Sequence, residues 1–381
     1  MKKNDKRPLT LIILSALAAA IVCAVFFFCN KSSQDGKGTG KEDFSDNVSE
    51  SVANTAGTDK GTDRNDITDS NQSSTTGTQE STDPFYLSFR PVAVVVNNIE
   101  QSLPQSGLAK ASVIYECTTE GLVTRLLAVF PDLSSLEGIG KIGSIRSARD
   151  CFLELSAGHD AIIAHAGASS SAYDMIEKLK LDTLDGVNGL LPPDTFYRDQ
   201  SRLESMAFEH TMVTSGEKLL AGISYLKFRL ETSVQQQEYS KTGELMPDGG
   251  AENISFYYSN SNRIDYTYDN SSKRYLRFQY NKKPHIDAES GKQLEFDNVV
   301  ILSCTHTPAN DSENHTNIKL TGTGEGMLFI DGSYEKITWK KESEDSRLVL
   351  LHRNGDEVVL KDGKTFFNIV SNEIFSRVKI S

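Results

Sequence analysis

Residues 91–96 read Pro-Val-Ala-Val-Val-Val, an apolar run with no polar position in it. A strand with one wet face alternates apolar and polar residues, because successive side chains point to opposite faces. A continuous β-branched run is instead a strand covered on both faces. Layers must therefore form on either side of a sheet, which leaves few architectures open. Asn97-Asn98 ends the run. Ala111–Glu116 and Thr124–Phe130 predict further strands, separated by Glu120-Gly121, and Ala161–Ala164 predicts a short buried one. Arg149–Leu155 and Tyr173–Leu179 predict helices. Ser144 or Ser147 is expected near the start of the first as its cap. A Gly-, Pro- and Asp-rich loop follows at 182–194. Strands alternating with helices define an α/β domain over residues 84–229.

From about Leu230 the texture changes. Short apolar and aromatic runs recur at 254–258, 264–268, 275–280, 298–302, 326–330, 337–339, 348–351 and 365–370. Asp331-Gly332 and Asn354-Gly355 between them suit hairpin turns, since both residue types accept positive φ. Residues 230–381 are thus expected to be β-rich, joined to the first domain near 235–250. The fold class is α+β or α/β: an N-terminal α/β domain followed by a β-rich C-terminal one.

Ahead of these domains, Lys2, Lys3, Lys6 and Arg7 precede an uncharged run from Leu9 to Cys29. As a helix it would span about 31 Å, the thickness of a bilayer core. Residues 1–30 are expected to attach the chain to the membrane, with the basic flank inside and the folded domains extracytoplasmic. An uncleaved anchor is one form; lipidation is the alternative. Residues 31–83 hold almost no large apolar side chain and are expected to be a disordered tether of about 40 Å r.m.s. span. The net charge of −12 argues against nucleic acid as a ligand, which requires a clustered basic surface. Cys117, Cys151 and Cys304 lie beyond the apolar run without CxxC spacing, and read as buried thiols.

Polar candidates concentrate between Glu116 and His210. Glu116 and Glu120 are four apart and share a face if the chain between them is extended. Paired carboxylates can act as general acid and base, or be held by Arg125, Arg146 or Arg149 as an ion network. Arg146 and Arg149 lie one helical turn apart, and guanidinium forks at a helix start suit an anion or a sugar acid. His165 ends a buried strand, where ligands of open α/β sheets bind. Asp160 and His210 are further ligand candidates. So are Arg198 and Asp199, whose alternative is a surface loop pinned by an Arg–Asp pair. No compact metal-ligand spacing occurs, and no metal or cofactor is expected. Pro284-His285-Ile-Asp287 reads as an exposed turn with a local His–Asp hydrogen bond.

Several of these segments together resemble the YerB-like bacterial lipoproteins, a family with two domains of unknown function. The resemblance covers about residues 89–370. It rests on Arg90–Asn98, Pro104–Leu108, Val113–Glu116, Glu120-Gly121 with Thr124-Arg125, Ile145–Arg149, Asp160 with His165–Gly167, Phe196 with Arg198-Asp199, and Pro284-His285 with Asp287. It implies an extracytoplasmic, membrane-attached protein of a Gram-positive-type bacterium and no established reaction. Asn97 stands where the family commonly has Asp, and Ser144, Asp150 and Glu209 stand where it commonly has Pro. The expected role is binding of a cell-envelope glycan or anionic polymer. A hydrolase of such a polymer using Glu116, Glu120 and His165 is the alternative, and a protein-interaction scaffold a third.

Overall fold

The structure, a computed structural model, describes residues 89–381 apart from Ser233. The expected membrane segment and tether lie outside these residues. The apolar run becomes β1 (Val92–Asn97), buried at all six positions. β2 (Val113–Thr118) and β3 (Thr124–Phe130) form an antiparallel pair, and β3 also runs antiparallel to β1. After helix α1 (Asp150–Gly158), β4 (Ile162–His165) lies parallel to β1. After α2 (Ser170–Leu179), β5 (Thr183–Asp185) lies parallel to β4. Helix α3 (Gly216–Leu226) ends this half. Within this half only β1, β4 and β5 run parallel to one another. The N-terminal half is therefore a mixed sheet with helices packed on it, rather than a regular α/β alternation, and strands outweigh helices over the described residues as a whole.

The second half carries β6 (Asn253–Tyr257), β7 (Arg263–Asp269) and β8 (Arg274–Gln279), the centre of an antiparallel sheet. It also carries β9 (Asn298–Pro308), β10 (Gly322–Ile330), β11 (Ser333–Lys341) and β12 (Thr365–Ser371). Asp331 and Gly332 join β10 to β11 with φ of 48° and 74°, the two positive angles a tight hairpin needs. β12 is parallel to β9 on one edge and to β2 on the other. Its Thr365-Phe-Phe-Asn-Ile-Val370 run is buried throughout. Such a strand has no edge to leave in water. It therefore stitches the two halves of the chain into one twelve-stranded sheet.

Each face of that sheet has its own core. Ala93, Val95, Tyr115, Leu127 and Ile163 pack beneath Phe152 and Leu155 of α1. Val94, Leu126, Ala128 and Ala164 meet Ile254, Phe256, Ile264 and Tyr266 of the second sheet, with Leu219 and Ile223 of α3. Cys117, Cys151 and Cys304 are free thiols buried on the α1 side. Among the described residues no helix is long and apolar enough to cross a membrane.

Candidate functional site

One edge of the sheet gathers the polar candidates. β1 ends there at Asn97 and β4 at His165, while antiparallel β3 begins there at Thr124-Arg125. Asn97 is the register partner of Arg125. Alternation along the strands puts Asn97, Arg125 and His165 on the face covered by α1, with Val95, Leu127 and Ile163.

The Arg146–Arg149 segment is fixed at this edge by backbone bonds on both sides. Arg146 N–H donates to Val95 O at 3.0 Å, Ala166 N–H to Arg146 O at 3.0 Å, and Ala148 N–H to Gly167 O at 2.9 Å. The segment is thus wedged between the end of β1 and the loop after β4. It delivers Arg149 to the N-cap of α1, where its side chain makes no capping bond. The serines expected as caps do other work. Ser147 Oγ donates to Ala166 O, and Ser144 Oγ is buried without a partner. No side chain caps the first turn of α1, which opens with Asp150 next to Arg149, and the Phe152 N–H donates to Arg149 O at 2.9 Å.

Glu120 bridges two of those cations. It closes an ion pair with Arg125 and lies 3.2 Å from Arg149 Nη2. Burial pushes its carboxyl upward, but Arg125 and Arg149 together outweigh that and leave it below the ordinary range. Burial, then the Arg149 guanidinium, pulls Arg125 down, with Arg146 adding to the effect and Glu120 opposing it. Arg146 donates to Glu209 O, and Arg198 to Phe208 O with its guanidinium 3.8 Å above the Phe208 ring. Burial and the neighbouring Arg146 lower Arg198.

Three buried nitrogens near this edge have no partner: Arg146 Nε, Arg149 Nε and His165 Nε2. His165 Nδ1 lies 2.9 Å from Gly167 O, so it carries the proton and Nε2 is a bare acceptor. Burial holds His165 below its ordinary pKa. Asn97 Nδ2 donates to His210 Nδ1 at 3.0 Å, which likewise fixes the neutral tautomer with Nε2 protonated. Burial lowers His210, Glu209 works against it, and Arg146 and Arg202 add to it.

Other candidates lie elsewhere. Glu116 and Glu120 do not share a face, because β2 ends at Thr118 before Glu120 is reached. Glu116 lies on the opposite side of the sheet, fully enclosed, accepting from Asn98, Thr124 and Arg277. Asp160 precedes β4, at the end away from His165, and is gripped by Arg229 and Arg90. Asp199 caps the short helix Gln200–Leu203 and pairs with Lys141 at 2.7 Å. His285 and Asp287 do not form an exposed turn. Both are buried; His285 contacts Arg277 and Gln105, and Asp287 accepts from Ala109 N–H. Asp185 is a residue the sequence did not single out. Its carboxylate accepts from Gly167 N–H, Val187 N–H and Tyr173 Oη, holding the loop beside His165. Among the described residues no group of three or more His, Cys, Asp or Glu side chains could hold a metal.

Fold and site together define a strand-dominated mixed α/β protein, two halves sharing one sheet, with an arginine-rich edge in the first half. The chain belongs to the family described as protein of unknown function (DUF3048). Its N-terminal domain matches residues 75–229 and its C-terminal domain residues 254–367. Over 291 residues the chain is 31% identical to the Bacillus subtilis (strain 168) protein named "Putative lipoprotein YerB", covering 74% of this chain and 81% of that one. The crystal structure of YerB protein from Bacillus subtilis superposes with a TM-score of 0.68 at 29% identity, covering 79% of this chain and 97% of that one. The YerB-like resemblance read from the motifs is thereby established.

Proposed function

We propose that this is a membrane-attached, extracytoplasmic protein that binds an anionic cell-envelope ligand, a glycan or anionic polymer, at the arginine edge. The observation that carries the reading is the pair of buried, unpartnered Nε–H groups of Arg146 and Arg149 beside the uncapped start of α1. Buried donors without partners are costly, and an anion supplies the missing acceptors. Membrane attachment is supported by the apolar run 9–29 and by the lipoprotein name of the YerB relative. The paired-carboxylate hydrolase finds less support. Glu116 is saturated by Arg277 on the far face, and Glu120 is held ionised by two arginines, unsuited to donating a proton near neutrality.

Equilibrium dialysis of the full chain in detergent, with glycerol-phosphate oligomers as probe, tests the reading. The parent should bind, and Arg149→Ala should bind at least tenfold more weakly. A parent that retains no oligomer overturns it. For location, a reporter fused after Ser381 should be active only outside the cytoplasm; activity confined to the cytoplasm overturns that part.

A further inference from the structure

The arginine edge has apolar neighbours that anion binding does not account for. Phe208 is 65% exposed, with Arg198 stacked on one side of its ring. The next residue, Glu209, holds Arg146 through its carbonyl, so Phe208 is fixed at the Arg146 end of the wedged segment. At the Ser147–Ala148 end, Val187 is 61% exposed and Leu190, in the same loop, 88%. Asp185 anchors Val187 there through the bond from its N–H. A Cβ placed on Gly167 would meet Val187 Cγ2 at 3.6 Å and Ser147 Oγ at 3.7 Å, so both side chains border Gly167. Exposed apolar surface marks a ligand or interaction site where it is contiguous and rimmed by polar residues.

We infer that the arginine edge takes an amphipathic phosphate, whose oxygens meet Arg146, Arg149 and the first turn of α1 and whose hydrocarbon chain lies over Phe208 and Val187. This rests on the anion-binding reading above and names its ligand class. A carboxylate presents its acceptor sites in one plane, whereas a phosphate ester presents three oxygens in three directions, which suits donors on two arginines and a neighbouring helix start. The apolar flank selects an ester that carries an alkyl or prenyl chain. Such molecules reside in the membrane to which the chain is proposed to be attached.

The full chain in maltoside detergent is titrated calorimetrically with methyl phosphate, hexyl phosphate and hexyl glucoside. Each buried methylene strengthens binding roughly fourfold, so hexyl phosphate should bind at least tenfold more tightly than methyl phosphate, and hexyl glucoside should not bind. Phe208→Ser and Val187→Ser should each lower the hexyl-to-methyl affinity ratio. Arg146→Gln should remove binding of both phosphates, with thermal melting recorded alongside to show that the fold is retained. Equal affinity for the two phosphates overturns the amphipathic ligand and leaves the anion site standing. Hexyl glucoside binding as tightly as hexyl phosphate overturns it as well. Absence of binding by either phosphate overturns both readings.

Discussion

Arg277 Nη2 lies 2.5 Å from Glu116 Oε2, and neither side chain has any exposed surface. The pair joins β2 of the large sheet to β8 of the second sheet, so it ties together the two halves of the chain. Its remaining valences are met by Asn98 and Thr124 on the glutamate, and by Tyr266, Gln279 and His285 on the arginine. Removing one partner strands the other as a buried charge. Arg277→Met and Glu116→Gln should each cost about 3–5 kcal/mol in urea unfolding. The double substitution should cost clearly less than the sum of the two, because neither charge is then left alone. Additive costs would show that the pair is not coupled.

Arg149→Ala is expected to be mild for folding. Glu120 keeps Arg125, and the Arg149–Glu120 contact is partly exposed, so the loss should stay within about 1 kcal/mol. Urea midpoints of parent and variant check this; a loss of several kcal/mol would assign Arg149 to structure.

Glu120 occupies the arginines as a resident anion. Glu120→Gln should free them and tighten methyl phosphate binding several-fold. Calorimetry on the variant decides, and weaker binding would mean that Glu120 positions the arginines for the ligand instead.

The pH dependence of stability should slope in one direction below neutrality. Burial, with Arg277 second, holds His285 well below its ordinary pKa. Burial also leads the lowering at His159, His165, His210 and His306. In the unfolded chain these rings take up a proton near pH 6.5, while the folded protein resists it. Stability is therefore present above about pH 6.5 and falls as pH drops below it, by up to about 1.4 kcal/mol per pH unit for each ring. Glu154 opposes this, since burial raises its pKa to about 7 and the folded state holds its proton more tightly from 4.5 upward. Urea midpoints between pH 7.5 and 5 should decline, and His285→Gln should flatten the slope. An unchanged slope would exclude His285 as a contributor.

Gly324 makes room for the single tryptophan. A Cβ there would stand 2.4 Å from Trp339 Nε1, which donates to Ser303 O at 3.0 Å. Gly324→Ala should displace the indole, cost about 1–3 kcal/mol and shift the tryptophan emission. An unshifted emission spectrum with full stability would show that the strand moves aside instead.

By itself the sequence determined most elements and named several of the polar residues that the fold gathers at one sheet edge. The uninterrupted run 91–96 required a strand covered on both faces, and Thr124–Phe130 was bounded to the residue. Arg149–Leu155 was legible as a helix, because local patterning depends only on neighbouring residues, but the helix runs Asp150–Gly158, so Arg146 and Arg149 both precede it and their spacing is not a helical turn. Tertiary structure decided the rest. That β12 pairs with β2, some 250 residues earlier, is long-range and leaves no local trace. In Tyr275–Gln279 alternation admits two readings, with Leu276 and Phe278 inward or with Arg277 and Gln279 inward. The buried set is Tyr275, Arg277 and Gln279. Arginine takes the interior because Glu116, from the other half of the chain, stands opposite it. The same contact removed Glu116 from the candidate site and left Glu120 alone with the arginines. A charge's partner is chosen by the fold, and the partner decides whether that charge is structural or free to meet a ligand.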